Sequence, residues 1–192
     1  MRQRYKCVWK QLKIDDEVLK MNTIKQYIRT DLQVITPYSS ARDEYKGEAG
    51  IWLDANENPS ITEWNRYPDP LQQALKDVIA KEKKVPVENL FLGNGSDEVL
   101  DLIFRLIARP FADKVAFFDP SYGMYEVLTT LNGLEQVRIP LKPDFTPDWE
   151  LTQTAIRETK LFFVCRPNNP TGNLFDRAKL LEILSEYEGR SR

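Results

Sequence analysis

The chain has 192 residues, 42% hydrophobic and 29% charged, which suits one good-sized globular domain with its own core. Its net charge of −2 gives no reason to expect nucleic acid or an anionic membrane as partner, and no apolar run is long enough to span a bilayer. There is no histidine, which excludes Ser-His-Asp and Cys-His catalysis and every histidine-based metal motif. Two distant cysteines, Cys7 and Cys165, make neither a disulfide framework nor a zinc site; the expected compartment is the cytoplasm, with no metal. An enzyme built from these residues must use lysine, tyrosine, carboxylates or a cofactor.

Residues 1–20 are rich in Lys and Arg, without a clear apolar period or a signal-peptide core, and are expected to be an extension, with Met21 a candidate start. Residues 23–50 are polar and aromatic and suit an arm. From Asp69 the pattern becomes regular. Asp69 is placed to cap a helix, with Pro70 at its first position and Leu71, Ala74, Leu75, Val78 and Ile79 as one stripe. Residues 89–92 read as a short strand, followed by a tight turn at Gly93-Asn94-Gly95. Ser96 or Asp97 then caps a helix facing inward through Val99, Leu102, Ile103 and Leu106.

The alternation continues with a buried strand at 115–118, a helix at 122–131 stopped near Gly133, and a strand at 136–141. A short helix at 151–156 and an apolar strand at 161–165 follow. The last helix is capped by Asp176, with Leu180, Leu181, Leu184 and Tyr187 on one face. Strands alternating with helices predict an α/β domain with a largely parallel sheet. The sequence closes on Gly189-Arg190-Ser191-Arg192 directly after a helix, where this architecture calls for another strand, so the sheet is expected to be incomplete, the alternative being a small complete α/β domain.

Ligands of open α/β sheets bind at the carboxyl ends of the strands, and three loops here take that position. Gly93-Asn94-Gly95-Ser96-Asp97-Glu98 would offer free N–H groups to a phosphate, although alone it fits a turn and helix cap better. It is neither a Walker A loop nor a dinucleotide fingerprint. Asp119-Pro120-Ser121-Tyr122-Gly123-Met124-Tyr125 sets aromatic rings past a strand end, for packing or for stacking on a flat ligand. Arg166-Pro167-Asn168-Asn169-Pro170-Thr171-Gly172 is a rigid loop presenting amides, with an Asn–Pro bond that is a candidate for a cis peptide.

Asn-Asn-Pro-Thr-Gly after an apolar strand, preceded at matching intervals by Gly-Ser-Asp-Glu and Pro-Ser-Tyr-Gly-Met-Tyr, resembles the class I/II aminotransferases that use pyridoxal 5'-phosphate (PLP). The segments at 37–42, 53–59 and 66–69 are similar to the histidinol-phosphate aminotransferase branch. This resemblance, running from about residue 23 to 188, implies the large domain of the aspartate-aminotransferase-like fold. Residues 1–22 would be an extension, 23–66 an arm or small-domain segment, and 67–192 a truncated PLP-binding domain.

By the family pattern, Gly95, Ser96 and Asp97 would hold the PLP phosphate, Tyr122 would stack on the ring, and Asn169 would bond the ring hydroxyl oxygen. Tyr67 would reach the phosphate of the neighbouring subunit in a homodimer, and Tyr38 and Asn56 would help close the substrate pocket. The resemblance implies transfer of an amino group between L-histidinol phosphate and 2-oxoglutarate in histidine biosynthesis. The family's Schiff-base lysine, its pyridinium aspartate and its substrate arginines lie beyond the asparagine loop. No lysine here, Lys179 included, matches the motif, so no catalytic residue is expected within the chain and it is expected to be inactive alone. The alternatives are a threonine-phosphate decarboxylase-like enzyme and a non-catalytic truncated protein.

Overall fold

The computed structural model describes residues 24–39, 44, 45, 47, 51, 53–58, 60 and 65–187. The expected extension at 1–22, part of the arm and the closing residues 188–192 lie outside them. The chain divides into two units, Ile35–Leu100 and Met1–Val34 with Asp101–Arg192, the boundary falling inside a helix.

The second of these units holds a parallel sheet of three strands, β1 (Lys114–Asp119), β2 (Glu135–Pro140) and β3 (Leu161–Phe163), in the order β2-β1-β3. Val115 pairs with Gln136 on one side and Leu161 on the other, and the β3 ladder ends at Phe117 opposite Phe163. Parallel neighbours require crossovers, and the helices at 124–131 and 149–156 supply them.

Strand geometry turns alternate residues of β1 to opposite faces. Ala116 and Phe118 join Ile139, Ile156, Phe175 and Ile183 in one buried cluster. On the other face Phe117 lies 6.3 Å from Tyr125, Tyr125 stacks on Phe163 at 5.1 Å, and Phe163 stacks on Phe104 at 4.8 Å. Covering both faces explains why 115–118 reads as an unbroken apolar run. At the amino ends of the strands the Lys114 ammonium meets Glu135 at 3.0 Å and Glu158 at 3.8 Å, while the Lys160 N–H donates to the Lys114 carbonyl at 2.8 Å.

Helix α1 (Gln73–Lys83) starts later than the sequence suggests. Gln72 adopts a left-handed φ of 54°, and the Asp69 carboxylate accepts N–H bonds from Leu71 at 2.8 Å and Gln73 at 2.7 Å across that turn. No strand lies among the described residues of this unit, so Leu71, Leu75 and Val78 of the predicted stripe stay exposed and only Ala80 is buried. The strand expected at 89–92 does not form. Val87–Asn89 is a 3₁₀ turn followed by an extended Leu90, because an extended segment without a neighbour has no ladder to join.

Helix α2 (Ser96–Ile107) takes Ser96 inside its first turn, not as a cap. Its fully buried residue is Phe104, drawn to Phe163, whereas Leu106 is left exposed. The backbone N–H of Arg29 donates to the Leu106 carbonyl at 2.9 Å and its guanidinium to the Arg105 carbonyl at 3.2 Å, which satisfies the end of this helix.

Helix α3 (Met124–Leu131) ends at Asn132 and Gly133, close to expectation. Helix α4 (Trp149–Ile156) is capped by Asp148, which accepts from the Leu151 N–H at 3.1 Å. Helix α5 (Arg177–Tyr187) begins at the expected Asp176 cap, whose carboxylate accepts from Ala178 at 2.8 Å. It buries Ile183 with Leu180 packed beside it and leaves Leu181 and Leu184 outward, so the inward face is not the predicted leucine row. The Tyr187 side chain lies outside the described residues. The strand expected at 161–165 stops at Phe163 because the β1 ladder ends there and Cys165 turns to donate to the Pro167 carbonyl at 3.3 Å.

Candidate functional site

The loops after β1 and β3 leave from the carboxyl ends of adjacent parallel strands, where ligand sites form in such sheets. The first turns through a cis Asp119-Pro120 bond into Ser121 and Tyr122. The Tyr122 ring is half-buried and stands edge-on to Tyr125, with centroids 5.7 Å apart and planes at 85°. Tyr125 is itself held by its stack on Phe163. Its phenol is pushed above the ordinary tyrosine value, first by burial and then by the neighbouring Cys165 thiol. It stays neutral in the physiological range and is no candidate for a base.

The second loop carries two cis bonds, Arg166-Pro167 and Asn169-Pro170, the latter at the Asn–Pro pair that the sequence suggests. Its centre is Asn168, 2% exposed. The Asn168 amide donates to the Pro120 carbonyl at 3.0 Å and to the Thr171 hydroxyl at 2.8 Å, and accepts from the Ser121 hydroxyl at 2.8 Å. Its carbonyl accepts the Gly172 N–H at 2.6 Å, a turn in which Gly172 takes a φ of 76°. Asn169 is thereby left exposed at the rim. Arg166, which has no role by sequence, donates to the Phe175 carbonyl at 2.8 Å and ties the loop to the segment entering α5.

In the other unit Gly93-Asn94-Gly95 forms a tight turn, with the Gly95 N–H donating to the Gly93 carbonyl at 2.9 Å and Gly95 at a φ of 82°. The Glu98 carboxylate accepts the Asn94 N–H. Gly95 and Ser96 are exposed at the start of α2 and Asp97 is half-buried. Glu57 binds the Tyr67 N–H at 2.9 Å and pairs with Arg66, and the Tyr67 hydroxyl reaches the Asn56 carbonyl at 3.5 Å. This unit thus brings Asn56 and Tyr67 together, while Tyr38 stands 93% exposed.

Sequence reasoning missed Asn168, Ser121 and Glu57. Their signals were faint: a second amide beside Asn169, a hydroxyl beside Tyr122, and an acid nine residues before Arg66. Among the described residues there is no cluster of three potential metal ligands, and no helix is long and apolar enough to cross a membrane.

A family model for aminotransferase class I and II matches residues 43–190. The chain belongs to this family. It is 47% identical over 170 residues to a histidinol-phosphate aminotransferase of Parabacteroides distasonis, a match covering 88% of this chain and 49% of that protein. The same enzyme name is carried by a relative from Bacteroides thetaiotaomicron, 48% identical over 171 residues, covering 88% and 49%. The chain spans about half the length of the curated relatives it matches.

Among solved structures, histidinol-phosphate aminotransferase from Sinorhizobium meliloti in complex with pyridoxal-5'-phosphate aligns with a TM-score of 0.57 at 24% identity, covering 62% of this chain and 33% of that one. Aspartate aminotransferase from Thermus thermophilus with maleate aligns at 0.52 and 28% identity, covering 62% and 33%. The parallel sheet with its flanking helices is therefore that of the PLP-dependent aminotransferases.

Proposed function

We propose that this chain forms the cofactor-gripping part of a cytoplasmic, homodimeric aminotransferase that moves an amino group between L-histidinol phosphate and 2-oxoglutarate in histidine biosynthesis. The observation that carries this reading is the joining of the Pro120–Tyr122 and Asn168–Gly172 loops at the carboxyl ends of β1 and β3, in a chain so close to enzymes of that name.

The residues suit PLP. The half-buried Tyr122 ring, braced edge-on by Tyr125, offers a face to a flat heterocycle. Asn169, exposed on a fixed loop, offers an amide N–H to an ionised ring oxygen. Gly95, Ser96 and Asp97 open a twelve-residue helix whose first N–H groups suit a phosphate. Asp97 takes part through its backbone N–H, since its carboxylate carries like charge. Tyr67 is assigned to the phosphate of the partner subunit, and Tyr38 and Asn56 to the substrate pocket. When bound, PLP supplies an electron sink for the substrate α-carbon.

None of these side chains is placed to carry a proton at that carbon. The family pattern gives the task to a lysine that no lysine of this chain matches, so activity is expected only with a complementing segment. The test expresses residues 1–192 alone and together with the carboxyl-terminal half of the P. distasonis relative as a second chain. Transamination of histidinol phosphate is expected in the pair and not in the single chain, which is expected to be molten or aggregated. A pair that binds PLP but acts only on another amino donor overturns the substrate assignment, and an active, cooperatively melting single chain overturns the division of labour.

A further inference from the structure

We propose that Asn168 is a positioning residue that locks the two loops bearing Tyr122 and Asn169 into one platform; this rests on the reading that those two residues face PLP. Asn168 adjoins Asn169, and its side-chain partners Pro120 and Ser121 lie two and one residues before Tyr122. The clasp therefore acts next to both proposed ligand contacts. The Pro120 carbonyl only accepts, so the amide nitrogen must face it and the amide oxygen must face the Ser121 hydroxyl. Both N–H bonds of the amide are used, one across to Pro120 at 3.0 Å and one within its own loop to Thr171 at 2.8 Å. At 2% exposure no solvent replaces a lost partner.

The strand ladder cannot do this work. Pairing of β1 with β3 ends at Phe117 and Phe163, before either loop begins, so beyond that point the side chain of Asn168 supplies the described hydrogen bonds between the loops. Ser121 completes the clasp as donor, with its own residue half-buried. Asn168 thus sets the spacing between a stacking ring and a hydrogen-bonding amide without touching the ligand itself.

Amide hydrogen exchange on the two-chain assembly tests the clasp, with Ser121→Ala, Ser121→Thr and Asn168→Asp as variants. The Tyr125 N–H, bonded to the Tyr122 carbonyl at 3.1 Å, reports the first loop, and the Gly172 N–H reports the second. Ser121→Ala is expected to speed exchange at Gly172, and Asn168→Asp at Tyr125, with the Phe117 amide of β1 unchanged and Ser121→Thr restoring protection. Changes confined to the mutated loop, a uniform loss across the sheet, or a wild-type assembly with both reporters unprotected overturns the clasp.

Equilibrium dialysis with PLP then separates this proposal from the functional reading. Asn168→Asp is expected to weaken binding about tenfold or more. Unchanged affinity with loosened loops overturns the positioning role. A wild-type assembly with protected loops and no affinity for PLP sinks the cofactor reading and leaves the clasp standing on exchange alone.

Discussion

Phe118→Ala probes the core that carries the loops. Phe118 is fully buried and meets Phe162 edge-on at 5.3 Å and Phe175 at 4.9 Å. Removing a buried phenylalanine costs about 3–5 kcal/mol. Two edge-to-face pairs, each about 0.5–1.5 kcal/mol beyond their area, place this site at the upper end. That is a third or more of the roughly 5–15 kcal/mol available to an ordinary domain. With a urea slope of about 2 kcal/mol/M, the unfolding midpoint should fall by about 2 M or more. Phe118→Leu keeps most of the volume and loses mainly the ring pairs, so its midpoint should fall by about 0.5–1 M. Leu184→Ala, at a side chain 62% exposed, should stay within about 0.25 M. Urea unfolding of the two-chain assembly, followed by far-UV circular dichroism, reads all three. A Phe118→Ala shift no larger than that of Leu184→Ala refutes the cluster.

Tyr122→Ala should release PLP from the assembly while Tyr122→Phe retains it, since the ring face does the stacking; equal loss in dialysis of both variants would assign the role to the hydroxyl. On the proposed reading, Asn169→Ala removes a hydrogen bond that favours an ionised ring oxygen, so the visible absorbance titration of the bound cofactor should move to higher pH. An unchanged titration with lost stability makes Asn169 structural only. Asp69 is held below the ordinary carboxylate value, first by the Gln73 N–H and then by that of Leu71. Its stabilisation of the start of α1 is therefore present above the unfolded value of 3.8 and lost as pH falls through the lowered folded value. Exchange at the Gln73 amide should be slower in wild type than in Asp69→Ala near neutrality, and the two should converge in strong acid; a pH-independent difference counts against the cap.

The parts of the fold that the sequence foretold are those where local pattern and tertiary demand agree. The run 115–118 is buried on both faces, and Asp176 caps a helix next to packed residues. Misreadings fell where an apolar pattern lacks a neighbour among the described residues: Leu75 and Val78 on α1, and Leu90 with no described strand to pair with. The α5 face was misread because three leucines outweigh one isoleucine in a pattern, whereas the packed cluster selects Ile183. At the site, the placement of the two loops was legible, since an apolar strand precedes each, and the Asn169-Pro170 bond is cis as its Asn–Pro pair suggests. Asn168 was not, because its partners at Pro120 and Ser121 lie 48 and 47 residues away in sequence.

The two ends of β1 face different demands. Lys114, at the amino end, answers two exposed carboxylates from β2 and from the turn before β3, contacts whose loss costs little. The carboxyl end opens through Pro120 into Asn168, where a single altered atom reaches both loops at once. Drift in sequence is thus cheap at one end of the strand and constrained at the other. If the proposed reading holds, a lineage acquiring a new amino donor would be expected to vary the exposed positions around these loops while keeping the Ser121–Asn168 pair intact.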